Sequence, residues 1–113
     1  MDDLTNNQKF VLTSMYKYFL ELQPGLPPEK AKCVGDSNYV QENLASQFSK
    51  EYVSDICWEL ESKEYIFCSP GDNLANDIVL ADKTIIYMES SFKRNIASIS
   101  SFLSAIMPFL NKI

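Results

Sequence analysis

Histidine is absent from this 113-residue chain, and that absence removes a large part of catalytic chemistry. Without an imidazole, neither a Ser-His-Asp nor a Cys-His nucleophile system can be assembled. Acid–base work would fall to carboxylates, and these lie on charged, surface-like stretches instead of apolar settings that would raise a pKa. Glycine is scarce: the three are Gly25, Gly35 and Gly71, and none opens a phosphate-cradling loop. Cysteine is equally sparse, with Cys33, Cys57 and Cys68 forming an odd set of three that lacks any Cys-x-x-Cys spacing. A secreted disulfide framework wants an even set and a zinc site wants clustered ligands. Cys57 and Cys68 therefore read as small core residues, while Cys33 stays unassigned. No enzymatic activity, metal or cofactor is expected. No apolar run approaches the roughly 18 residues of a membrane span. The opening "MDDLTNNQKF" is acidic and polar, unlike a secretory signal, so a cytoplasmic location is expected.

What is present is enough for one folded domain. Hydrophobic residues make up 46% of the chain and aromatics 12%, both inside the globular range. Thr5-x-x-Gln8 has the form of a capping box, and Val11, Met15, Tyr18 or Phe19, and Leu22 repeat at helical spacing, predicting helix 1 over about residues 5–22. "QPGLPP" ends it. A second helix opens near Ser37 or Asn38, with Val40, Leu44 and Phe48 on one face. A third follows Ser49, with Val53, Ile56, Cys57 and Leu60 inward. Together they occupy about residues 38–63. "EYIFCS" and "DIVLA" then read as two strands around Pro70-Gly71-Asp72-Asn73. Their connection is expected to be a loop of a few residues, not a two-residue turn, and the hairpin covers about residues 64–81.

The tail, residues 83–113, carries the strongest periodicity. Phe92, Ile96, Ile99, Leu103, Ile106 and Leu110 are separated by steps of four and three, the a/d spacing of a coiled-coil seam. Two readings follow: the helix packs back on its own domain, or paired tails make a homodimer. The dimer is the expectation, because Phe102, Met107 and Phe109 widen the apolar surface further. A break near Ser90-Ser91 would make two helices of one.

Helix, turn, helix, hairpin is the order of a winged helix. The run "LASQFSKEYVSDICWELESKEYIF" with "DIVLADKTIIYME" resembles the small winged helix-turn-helix proteins of bacteria and their phages. In that family an apolar strand leads through Leu-Thr, an acidic residue and Lys-Gly into a helix. Here Ala81 stands where the threonine would be and Thr84 where the glycine would be. The tail is similar to the dimerisation helix of PadR-type regulators. The resemblance implies a mainly α fold with a small β-hairpin: a winged-helix core over residues 1–82 and a C-terminal, self-associating helix over 83–113.

Members of such families mostly bind DNA, with the third helix in the major groove and basic residues neutralising phosphate. This chain has the opposite charge there. Residues 50–65 carry Lys50 and Lys63 against Glu51, Asp55, Glu59, Glu61 and Glu64, and the hairpin carries Asp72 and Asp77 with no cation. Positive charge collects in the tail, as Lys83, Lys93, Arg94 and Lys112 against Glu89 alone. The expected function is accordingly that of a non-enzymatic regulatory or adaptor protein of a bacterium or mobile element. It would grip a basic protein surface through Asp55, Trp58, Glu59 and Glu61. Trp58 lies off the centre of the inward stripe, either as an interface anchor or as a cap on the core. The alternatives are a dimeric transcriptional regulator binding DNA through Lys83, Lys93 and Arg94, and a phage structural or replication accessory subunit.

Overall fold

A computed structural model describes residues 1–111. Its first helix, α1 (Asn6–Leu22), opens on the expected capping box. The Thr5 hydroxyl accepts the Gln8 N–H at 3.2 Å, and Gln8 Oε1 accepts the Thr5 N–H at 3.0 Å. The helix is buried on almost every side, with Phe10, Val11, Leu12, Met15, Tyr16, Phe19 and Leu20 all in the core. A helix with so wide an apolar face belongs inside.

After Pro24 and Gly25 a single turn, α2 (Pro28–Ala31), starts on proline, whose fixed φ suits a first helical position. A short strand follows, β1 (Cys33–Gly35), unforeseen because three residues carry no readable alternation. Gly35, at φ 99°, supplies the left-handed step into α3 (Ser37–Asn43). The cap of α3 is Asp36, whose carboxylate accepts the Tyr39 N–H at 2.8 Å, one or two residues before the expected Ser37 or Asn38. Helix α4 (Lys50–Ser62) begins on Ser49 as expected and buries Val53, Ile56, Cys57 and Leu60.

Strands β2 (Ile66–Gly71) and β3 (Leu74–Leu80) form the hairpin, and β1 joins β3 to give an antiparallel sheet in the order β1-β3-β2. The connection corrects the expected longer loop. Gly71 pairs with Leu74, leaving Asp72 and Asn73 alone at the tip with φ 51° and 61°. Two positive values are what a type I′ turn needs, and Asp and Asn tolerate them best after glycine. Asp77, at φ 52°, forms a bulge where the register shifts opposite Cys68. Strict alternation from Leu80 and Ile78 would turn Ala75 outward; the extra residue resets the phase, so all three are buried.

The tail corrects a larger expectation. It is two helices, α5 (Asp82–Phe92) and α6 (Ile96–Ile106), with a 3₁₀ turn at Met107–Phe109 where Pro108 ends the ladder. The break falls at Lys93 and Arg94, two residues beyond Ser90-Ser91, and both adopt left-handed conformations at φ 52° and 58°. Each such residue without a glycine costs roughly 1–2 kcal/mol. The seam faces inward. Ile99 and Ile106 are buried, and Phe92, Leu103 and Leu110 pack against the same cluster as α1; Ile96 alone is exposed, at 39%. Five of the six expected seam residues thus pack on the core that holds α1, and Ile96 lies outside it. Residues 82–111 share one core with the rest.

Two polar fastenings hold the tail. Thr84, fully buried, donates its hydroxyl to the Tyr65 carbonyl at 2.7 Å, and the Ala81 N–H reaches the same oxygen at 3.1 Å. At the other end, buried Asn7 accepts the Asn111 N–H at 2.9 Å and donates to the Asn111 carbonyl at 2.8 Å. The result is a mainly helical protein with a small three-stranded antiparallel sheet, compatible with a winged-helix layout. Replacing Ile99 by Ala should lower the unfolding free energy by about 2–4 kcal/mol, read from urea titration of the helical circular dichroism. Ile96→Ala should change it by less than about 1 kcal/mol. Equal effects would mean the seam does not face α1.

Candidate functional site

The outer face of α4 is set by its own periodicity. With Val53, Ile56, Cys57 and Leu60 inward, Glu51, Asp55, Trp58 and Ser62 follow one another along the solvent side at steps of four, three and four. Asp55 is exposed, and Trp58 is half-buried, its edge packed against the core cluster. One side of Trp58 thus packs on the core, as the capping reading expects, and the other is open to solvent. Glu61 sits on the flank toward β2. There it assists burial, the larger cause, in pushing the Cys68 thiol up to about 11.

The tight hairpin brings a further carboxylate to this face. Asp72 and Asn73 at its tip border a cleft of roughly 230 Å³ together with Asn38, Lys50, Glu51 and Ser54. The cation there is Lys50, and it pairs with Glu42 at 3.1 Å. Among the described residues no ion pair reaches Glu51, Asp55, Glu61 or Asp72. Glu51 and Asp72 were missing from the sequence-derived set; a two-residue reading of the hairpin tip was the signal that would have placed them. Glu59, by contrast, leaves the set. It points to the opposite flank and accepts a hydrogen bond from Gln8 Nε2, a structural link between α4 and α1.

The basic residues expected to meet phosphate are otherwise engaged. Lys83 donates to the Lys63 carbonyl at 2.8 Å and lies 4.4 Å above the Tyr65 ring, a cation–π arrangement. Arg94 pairs with Glu89 at 2.6 Å and donates to Gln23 Oε1. Lys93 is exposed, while Lys112 lies outside the described residues. Lys83 stands at the start of α5 and Lys93 and Arg94 at its end, roughly 15 Å apart at the rise of an α-helix. They do not converge on one patch.

The two tyrosines beside α4 are also used internally. Tyr52 accepts from Asn7 at 2.7 Å. Tyr65 donates to Asp3 at 2.7 Å, and burial with that carboxylate pushes its phenol up to about 12. The same hydrogen bond holds Asp3 below the usual carboxylate range. Among the described residues no group of histidine, cysteine and acidic side chains is arranged to hold a metal ion. No described helix is long and apolar enough to cross a membrane. No known family, characterised protein or solved structure matches the chain.

Two measurements check this geometry. Burial pushes the Cys57 thiol up to about 12 and Cys68 to about 11, so neither forms thiolate at pH 8, whereas Cys33 is exposed. Cys33 should react with Ellman's reagent within minutes, half-buried Cys68 far more slowly and Cys57 only on unfolding; fast reaction of all three would show the hairpin unpacked from α4. Trp58, flanked by carboxylates, should be quenched several-fold more efficiently by caesium than by iodide at low salt, and the bias should vanish in Glu51→Gln/Asp55→Asn.

Proposed function

We propose that this chain is a non-enzymatic adaptor or regulatory protein of winged-helix type that binds a basic protein surface through the outer face of α4. The order α1, β1, α3, α4, β2, β3 and the sheet order β1-β3-β2 support the winged-helix assignment. In that scheme α4 stands where a recognition helix stands, and the β2–β3 hairpin is the wing. The observation that carries the functional reading is the charge of that surface: Glu51 and Asp55 in line with a half-open Trp58, Glu61 on the flank and Asp72 across the cleft from Glu51, with Lys50 already paired.

Such a surface repels a phosphate backbone, whose binding depends on cations that release counter-ions. Lys83, Lys93 and Arg94 lend little to the DNA alternative, since Lys83 caps a carbonyl and Arg94 is ion-paired. A basic partner meets the opposite situation. Carboxylates raise its encounter rate and select its sign, and an aromatic ring that is half seated in the core can anchor it at small entropic cost.

The test uses fluorescence anisotropy at low and near-physiological salt, with an arginine-rich peptide standing in for the basic surface and a mixed-sequence DNA duplex as competitor class. The peptide should bind and the duplex should not. Glu51→Lys with Asp55→Lys should weaken peptide binding at least tenfold. An equal reversal elsewhere, Asp2→Lys with Glu29→Lys, should leave it within about twofold. Tight duplex binding with steep salt dependence would replace this reading with that of a DNA-binding regulator.

A further inference from the structure

The hinge between α5 and α6 is built from the wrong residues for a turn. A helix that ends in a left-handed residue nearly always uses glycine or asparagine there. This one uses Lys93 and Arg94 in succession, at φ 52° and 58°, and both are good helix formers. No glycine or proline lies between Gly71 and Pro108. Local preference and observed conformation conflict at this point.

The apolar spacing ignores the break. Met88 and Phe92 on α5 and Ile96, Ile99, Leu103 and Ile106 on α6 follow one another at steps of three or four. With the hinge straightened, residues 82–106 would form one helix carrying both core-facing stripes on a single side. In the folded chain the phase serves no purpose across the hinge, because α6 has already turned back onto α1.

We infer that α6 exchanges between two copies of this chain. In the exchanged dimer the hinge is helical, and each α6 lies against α1 of the other copy, with the Asn7–Asn111 fastening re-formed between copies. Every contact of α6 on α1 is kept, so the balance between monomer and dimer rests on the hinge, on the α5–α6 packing that straightening separates, the Phe92–Phe102 ring pair above all, and on the concentration. Helix formation at Lys93 and Arg94 favours exchange. The closed form is held by what the straight helix loses: the Arg94–Glu89 pair, Arg94 to Gln23, and Asn95 as the cap that accepts the Ser98 N–H at 3.1 Å. Short hinges under conformational strain are where such exchange arises. The outer face of α4 takes no part, so the inference stands independently of the partner-binding reading, and a dimer would present two such faces.

Light scattering from micromolar to millimolar protein should show a monomer–dimer equilibrium. Lys93→Gly relieves the left-handed strain of the closed form and weakens the straight helix. The dimer dissociation constant should rise by at least about thirtyfold, because two hinges close per dimer. Arg94→Ala with Asn95→Ala removes latch and cap and should shift the equilibrium toward dimer. In a dimer formed from isotope-labelled and unlabelled copies, filtered NOE spectra should place Asn7 of one copy beside Asn111 of the other. The inference is overturned by a monomer at every concentration in both the natural chain and the Arg94→Ala/Asn95→Ala variant. A dimer indifferent to Lys93→Gly, or one lacking the Asn7–Asn111 cross-peak, overturns it equally.

Discussion

The need to cover α1 on all sides governs this structure. A helix with one apolar stripe is satisfied by one neighbour, but α1 buries Phe10, Val11, Leu12, Met15, Tyr16, Phe19 and Leu20 around most of its circumference. Side chains of this size each contribute roughly 1.5–3 kcal/mol when removed from water, so leaving any sector open would be costly in so small a domain. Helix α4 covers one sector, β1 and α2 another, and α5 and α6 the remainder. The seam of the tail, Ile96 apart, is the lid on α1.

Polar groups on α1 decide where those covering elements stop. Asn7 is almost fully buried and satisfies its amide with Tyr52 of α4 on one side and the Asn111 backbone on the other. Gln8 completes the helix cap and meets Glu59 and Lys63. Buried polar groups of this kind are worth little unless every partner arrives, which makes them specify register more than they add stability. Thr84 and the Tyr65 carbonyl perform the same service where the sheet hands over to α5. Placing a threonine where the resembled family has glycine thus supplies a hydrogen bond instead of backbone freedom.

Short-range signals were legible in the sequence and long-range ones were not. The Thr5–Gln8 box, the Ser49 cap and the inward stripe of α4 involve residues within a turn or two of one another, and they appear as expected. The strand β1 was not legible, because three residues are too few to alternate and its identity comes from pairing with β3. The hairpin tip was misread because Asp72-Asn73 was weighed as generic turn composition, although both residues tolerate positive φ. The heptad spacing of the tail was real, but spacing says that a face is buried and not against what. Of the acidic site, Asp55, Trp58 and Glu61 followed from helix geometry. Glu59 required knowing where Gln8 lies, and Asp72 required knowing that the hairpin folds back beside α4.

Six of the fifteen carboxylates are used by the fold. Asp3 accepts from Tyr65, Asp36 caps α3, Glu42 pairs with Lys50, Glu59 meets Gln8, Asp82 pairs with Lys32 at 2.9 Å, and Glu89 holds Arg94. Glu51, Asp55, Glu61 and Asp72 make no side-chain hydrogen bond or ion pair among the described residues, and their proximity on an already acidic chain is mildly unfavourable to the folded state. Asp2, Glu21, Glu29, Glu64 and Asp77 likewise make none, so what distinguishes the four is their placement along the outer face of α4 and at the hairpin tip beside it. It is on this charge of one sign, with a half-open aromatic ring on the same helix face, that the proposal of an external partner rests.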